Sequence, residues 1–124
     1  MTWTLWIVIG AIFAGLGVGF GAFGAHSLKE RLSAENLNIF EVAARYQMYH
    51  SMALIAVGLL AVKIDNVAVL VAGCAFVIGI VLFSGSLYVM SITEARWLGM
   101  VTPFGGLAFL VGWGALAFAA LRPA

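Results

Sequence analysis

Charge is scarce in this sequence. Of 124 residues only six are Lys or Arg and five are Asp or Glu, 9% of the chain together. Soluble domains carry about 25%, so there is too little charge here to coat a surface facing water. The formal net charge is +1, and the few basic residues are scattered; no basic footprint for nucleic acid exists, and no nucleic-acid partner is expected. Cysteine is nearly missing. The single Cys74 lies in an apolar run, which excludes an intrachain disulfide and reads as a small packing residue. Chemistry-bearing sets are missing too. No Ser/His/Asp or Cys/His arrangement has partners at matched depth, no acidic metal motif occurs, and there is no C-x-x-C-H for haem attachment. His26 and His50 come from different runs and make a weak pair for haem or metal, and Met48 and Met52 read as packing. No catalytic residue, cofactor or metal is therefore assigned.

What the chain has in place of charge is apolar length: 65% of it is hydrophobic, and such a chain needs lipid around it in place of water. Four runs are long enough to cross about 30 Å of hydrocarbon, at about residues 3–25, 39–62, 67–90 and 97–121. The connections between them are short. The expected fold is all-α: an integral membrane four-helix bundle in a single transmembrane domain over residues 1–124. The first run is about 23 residues long with no Lys or Arg before it, so it reads as a retained span and not as a signal peptide, whose h-region is about 7–15 residues.

Residues 19–24, GFGAFG, match the G-x-G-x-x-G of dinucleotide-binding loops. No strand precedes them and no βαβ unit fits, so the nucleotide reading fails. The spacing instead gives Gly15/Gly19 and Gly17/Gly21, both G-x-x-x-G pairs, with Ala25 continuing the second. Such rows let helices approach closely in lipid. They predict a first span gripped by neighbours and offer a route to a homo-oligomer.

Ser27-Leu28-Lys29-Glu30 has the form of a capping box and predicts a short interfacial helix between spans 1 and 2. Asn38 with Glu41 repeats the pattern and places the start of the second span near residue 39. That span opens IFEVAARYQMYH. Glu41 and Arg45 are spaced i, i+4 at the interface, Tyr46 and Tyr49 fall near the headgroups, and Gln47 and His50 fall roughly 5–10 Å inside the hydrocarbon. Polar groups ring much of this helix, which predicts enclosure by the other three. His26, Ser84, Ser86, Tyr88 and Thr102 belong to the same leaflet in an antiparallel bundle. The candidate polar cluster is thus His26, Glu41, Arg45, Tyr46, Gln47, Tyr49, His50, Ser84, Ser86 and Thr102. Pro103 either kinks the fourth helix or starts it, with Thr102 as cap.

Buried polar groups at this density act as a structural network or line a vestibule. The vestibule reading gives a non-enzymatic membrane protein binding a small ligand, a lipid headgroup or a partner at one leaflet. A small-molecule or ion transporter or channel, with an oligomer supplying the polar route, is the alternative, and a membrane enzyme acting on lipid or quinone is a third. Lys29, Arg31, Arg96 and the boundary residue Arg45 outnumber Lys63 and Arg122, which puts connections 1 and 3 in the cytoplasm and both termini outside.

Four motifs occur together and in order: GAFGAH closing the first run, YQMYH in the second, FSGSLY in the third and RWLG followed by TP.GG opening the fourth. In this the chain resembles a family of small bacterial inner-membrane proteins grouped as a domain of unknown function, to which small eukaryotic transmembrane proteins are similar. The resemblance implies an integral protein of the bacterial inner (plasma) membrane with about four helices, and membrane lipid as its surroundings. It implies no activity. It marks His26, Tyr46, Gln47, Tyr49, His50, Ser84, Gly85, Ser86, Thr102, Pro103, Gly105 and Gly106 as the family's signature.

Overall fold

A computed structural model describes residues 2–122. Helix α1 covers Thr2–Ser27, and α2 covers Ala34–Ala61. The next rod is α3 (Val67–Gly79), a π-helical turn (Ile80–Ser84) and α4 (Gly85–Thr93), continuous in direction. A 3₁₀ turn, Arg96–Met100, leads into α5 (Thr102–Leu121). The protein is an all-α four-helix bundle. Among the described residues three stretches are long and apolar enough to cross a membrane: Trp3–Gly24, Val67–Thr93 and Arg96–Leu121. Helix α2 lies in sequence between the first two of these. It is 28 residues long, but the polar residues of its first half make it less apolar than the others.

Helix α2 begins five residues earlier than Asn38 predicts. Ser33 is the N-cap, and its hydroxyl accepts from the Asn36 amide at 3.1 Å, while Asn38 is exposed within the first turns. Both serine and asparagine suit the role; burial of Asn36 and Phe40 against the rest of the protein decides for the earlier start. That extension uses up the chain expected to form the surface helix. Ser27 ends α1, and residues 28–32 make a single turn, with the Leu32 amide on the Leu28 carbonyl at 2.9 Å. Pro103 sits in the first turn of α5, where its missing N–H costs nothing. It starts the helix and does not kink it, and Val101, not Thr102, precedes the first helical residue.

Helix α2 packs against α1 and the third rod, and it reaches α5, which packs on the third rod, through the side chain of His50. Its contact with α1 is a backbone approach made possible by glycine. A Cβ on Gly10 would lie 2.8 Å from the Ser51 carbonyl oxygen, and one on Gly58 2.8 Å from that of Trp3. On α1 the glycines that meet α2 closely are Gly10, Gly17 and Gly24, opposite Ser51, Met48 and Phe40. They are seven apart, the spacing of left-handed helix packing. Gly21 meets only the Ala44 methyl at 3.9 Å, and Gly15 and Gly19 have nothing within 4 Å. So the first helix is gripped along one row, not two; the side chain of Ala25 lies outside the described residues. The main core gathers Trp6, Leu54, Val57, Phe76, Ile80 and Phe109. Cys74, expected in packing, is exposed on the outer face of α3.

Candidate functional site

The polar residues of α2 divide by face. Gln47, His50 and Ser51 are buried, while Glu41, Arg45, Tyr46 and Tyr49 are exposed. The enclosure predicted for this helix is therefore one-sided. Gln47 reaches two other helices at once: its amide donates to the Phe13 carbonyl of α1 at 2.8 Å, and its oxygen accepts from the Tyr88 hydroxyl of α4 at 2.6 Å. The Ser84 hydroxyl, at the end of the π turn, donates to the Ala43 carbonyl at 2.8 Å. Ser51 bonds back to the Gln47 carbonyl at 2.6 Å.

His50 links α2 to α5. Its Nδ1 is 2.7 Å from the Tyr46 carbonyl, and its Nε2 is 3.0 Å from the indole nitrogen of Trp113. A carbonyl only accepts and an indole N–H only donates. The ring is accordingly neutral here, protonated on Nδ1, with its one lone pair occupied. It also stacks on Phe109, with centroids 3.5 Å apart and planes at 6°. Trp113 lies 11 residues into α5, so His50 sits about 16 Å below the start of that helix at 1.5 Å per residue. It lies about halfway along α5.

A second polar layer lies at the end of the bundle that holds connections 1 and 3. Ser86 and Thr102 share a 2.6 Å hydrogen bond, and Thr102 also reaches the Leu98 carbonyl at 3.2 Å. Asn36, buried, donates to the Glu94 carboxylate at 3.2 Å and accepts from Arg96 at 2.9 Å. Glu94 is the αL residue closing α4, with φ of 59°, and its 3.7 Å contact with Arg96 is the ion pair found among the described residues. Glu41 and Arg45 form none. Among the described residues every buried side-chain nitrogen or oxygen has a partner.

The candidate cluster is thus several small networks. Gln47, Ser84 and His50 are tied into the interior, and Ser86 and Thr102 pair near one end. His26, Glu41 and Arg45 stay outside, exposed. Tyr46 and His50 meet again at a cleft between α2 and α5, about 400 Å³ in volume, lined also by Tyr49, Phe83, Phe109 and Trp113. Asn36, Phe109 and Trp113 are absent from the polar leaflet read in the sequence, and Tyr88 is placed at that leaflet there without being counted in the cluster. Phe109 and Trp113 carry the i, i+4 signal of one α5 face, three and seven residues beyond Gly106. In an apolar helix, however, aromatic side chains point equally well to lipid. No group of three or more His, Cys, Asp or Glu able to hold a metal occurs among the described residues.

Residues 20–106 match the family model described as "Protein of unknown function (DUF423)". The chain is 44% identical over 118 residues to a "UPF0382 membrane protein" of Staphylococcus epidermidis, covering 95% of this chain and 96% of that one. It is 45% identical over 109 residues to the UPF0382 membrane protein SSP2132 of Staphylococcus saprophyticus, 88% and 90% of the two chains. It is 43% identical over 119 residues to the UPF0382 membrane protein YwdK of Bacillus subtilis, 95% and 97% of the two. These relatives are bacterial. No solved structure matches the chain.

Proposed function

The chain belongs to the DUF423 family and is a multi-pass bacterial membrane protein of unknown function; on that footing we propose that it is non-enzymatic and holds a small lipid-soluble ligand in the cleft between α2 and α5. The observation that carries this reading is the division of labour among its polar groups. Among the described residues the buried ones are satisfied within the protein, as a scaffold requires. The cleft, by contrast, is open, walled by Tyr46, Tyr49, Phe83, Phe109 and Trp113, and within the usual size of small-molecule pockets, about 300–1,000 Å³. The interior network then serves as scaffold, holding the cleft's walls through His50.

The charge distribution supports an orientation with connections 1 and 3 cytoplasmic and both termini outside. Arg45, one turn before Tyr49 on the exposed stripe of α2, would lie toward the cytoplasmic headgroups. The open Gly15/Gly19 row supports a homo-oligomer through α1.

The test compares solvent extracts of protein purified in lipid nanodiscs with those of Gly106→Leu. A Cβ at Gly106 meets only Phe83, at 3.9 Å, so the larger side chain extends into the cleft and not into the core. A small molecule retained at stoichiometric amount by wild type and lost from the variant is expected. Identical extracts would count against the cleft, and a proton or ion flux through reconstituted wild-type protein would favour transport instead.

A further inference from the structure

The chemistry of the cleft narrows what it takes, granted the reading that it is a binding site. No Lys, Arg, Asp or Glu lines it, so a phosphate or ammonium headgroup would find no counter-charge there. Its histidine is not free either: one ring nitrogen donates to Tyr46 and the other accepts from Trp113. The polar groups that remain are two phenols. The hydroxyls of Tyr46 and Tyr49 have no protein partner among the described residues, and their rings meet edge to face at 5.6 Å. The rest is aromatic surface. Tyr46 packs on Phe83 at 4.8 Å, Phe83 meets Phe109 at 5.4 Å, and Phe109 is pinned by the His50 ring stacked on it.

The cleft runs from Gly106 to Trp113, about 6 to about 16 Å below the start of α5. A phenol without a protein partner gains from an acceptor brought by a ligand. The ligand best matched is flat, conjugated and uncharged, carries carbonyl acceptors, and reaches the site through lipid. We propose that the cleft binds the ring of a membrane quinone. Its carbonyl oxygens accept from Tyr46 and Tyr49, its ring lies against the aromatic wall, and its isoprenoid tail passes out between α2 and α5. Only binding is proposed, with no electron transfer.

The experiment uses the full chain in nanodiscs with 5-fluorotryptophan at all four Trp positions, and Trp113→Phe to assign the cleft resonance by fluorine NMR. Short-chain naphthoquinone and benzoquinone are titrated beside 2-methylnaphthalene, a flat ring without carbonyls. A saturable shift of the Trp113 signal with quinone is expected, weakened at least about tenfold by Tyr46→Phe with Tyr49→Phe, the equivalent of about one hydrogen bond. Thermal unfolding checks that these variants fold, and either single variant serves if the double does not. Binding of methylnaphthalene as tight as that of quinone, or quinone affinity indifferent to the phenols, overturns the quinone assignment and leaves the cleft standing. Linear, unsaturated shifts with every ligand, unchanged in Gly106→Leu, overturn the cleft itself.

Discussion

The Gln47 side chain spends both ends of its amide on other helices, and Tyr88 depends on it in return. Hydrogen bonds between membrane helices average about 0.6 kcal/mol with a maximum of about 1.7, while a buried partner left alone costs about 1–3 kcal/mol. Gln47→Leu is therefore expected to destabilise by about 1–2 kcal/mol in reversible unfolding in bicelles, and Tyr88→Phe by less. The double variant should be little worse than Gln47→Leu alone, with a coupling of about 0.6–1.7 kcal/mol. Strict additivity would mean the two side chains do not interact. The sequence made one half of this bond legible: a glutamine in a span must turn inward. Its partners were not legible, because Phe13 offers only a main-chain carbonyl and a tyrosine near a span's end is as much at home among headgroups. The same holds for His50, whose inward face could be read but whose tie to Trp113 could not.

Between helices, glycines decide how closely backbones approach, and their positions rank the substitutions. Gly10→Ala would push a methyl group onto the Ser51 carbonyl, which cannot move aside; a loss of about 1–3 kcal/mol is expected. Gly17→Ala meets the Met48 sulfur at 3.0 Å, a flexible tip that can yield, so the loss should be smaller. Gly15→Ala touches nothing and should stay within about 0.5 kcal/mol of wild type. Thermal or denaturant unfolding of the three gives the order, and a Gly15→Ala loss equal to that of Gly10→Ala would contradict it. Gly15→Leu with Gly19→Leu probes the open row. Folding should survive, and if copies associate there, cross-linking in membranes should fall to the monomer level; undiminished cross-linking would place the contact elsewhere. Reading G-x-x-x-G pairs found the right helix and, in Gly17, one of its contact glycines, but the seven-residue spacing of Gly10, Gly17 and Gly24 is the pattern that packs on α2. Helix ends were harder. Ser33 and Asn38 are both good caps, and only tertiary burial of Asn36 and Phe40 separates them.

Across the whole protein, one helix carries most of the polarity and touches all the rest. Arg, Asp or Lys at a span's centre costs about 2.5–3.5 kcal/mol on insertion scales, and α2 adds Gln47 and His50 to Arg45. Alone, α2 is expected to insert poorly; followed by Val67–Thr93 and preceded by α1, it should insert well. Glycosylation-site mapping of truncated and full chains in microsomes checks this, and efficient insertion of isolated α2 would contradict it. Three of the runs were legible because hydrocarbon thickness imposes length and composition on each; the second, with its polar first half, does not carry that signal. The distribution of bonds from α2 to every neighbour was not legible, because it depends on the rotation of each helix about its own axis.

The π turn at Ile80–Ser84 closes its ring on the fifth residue, with the Gly85 amide on the Ile80 carbonyl. It thus holds one more residue than an α-helical turn would. Removing a single outward-facing residue there, Val81, would let the segment tighten into ordinary helix while Gly73 still faces Trp6 and Tyr88 still faces Gln47. Removing one from α3 instead has no such slack to absorb it, and would swing everything beyond by about 100°. This span carries its own spare link, and it lies where Gly105 of α5 meets the Phe83 backbone.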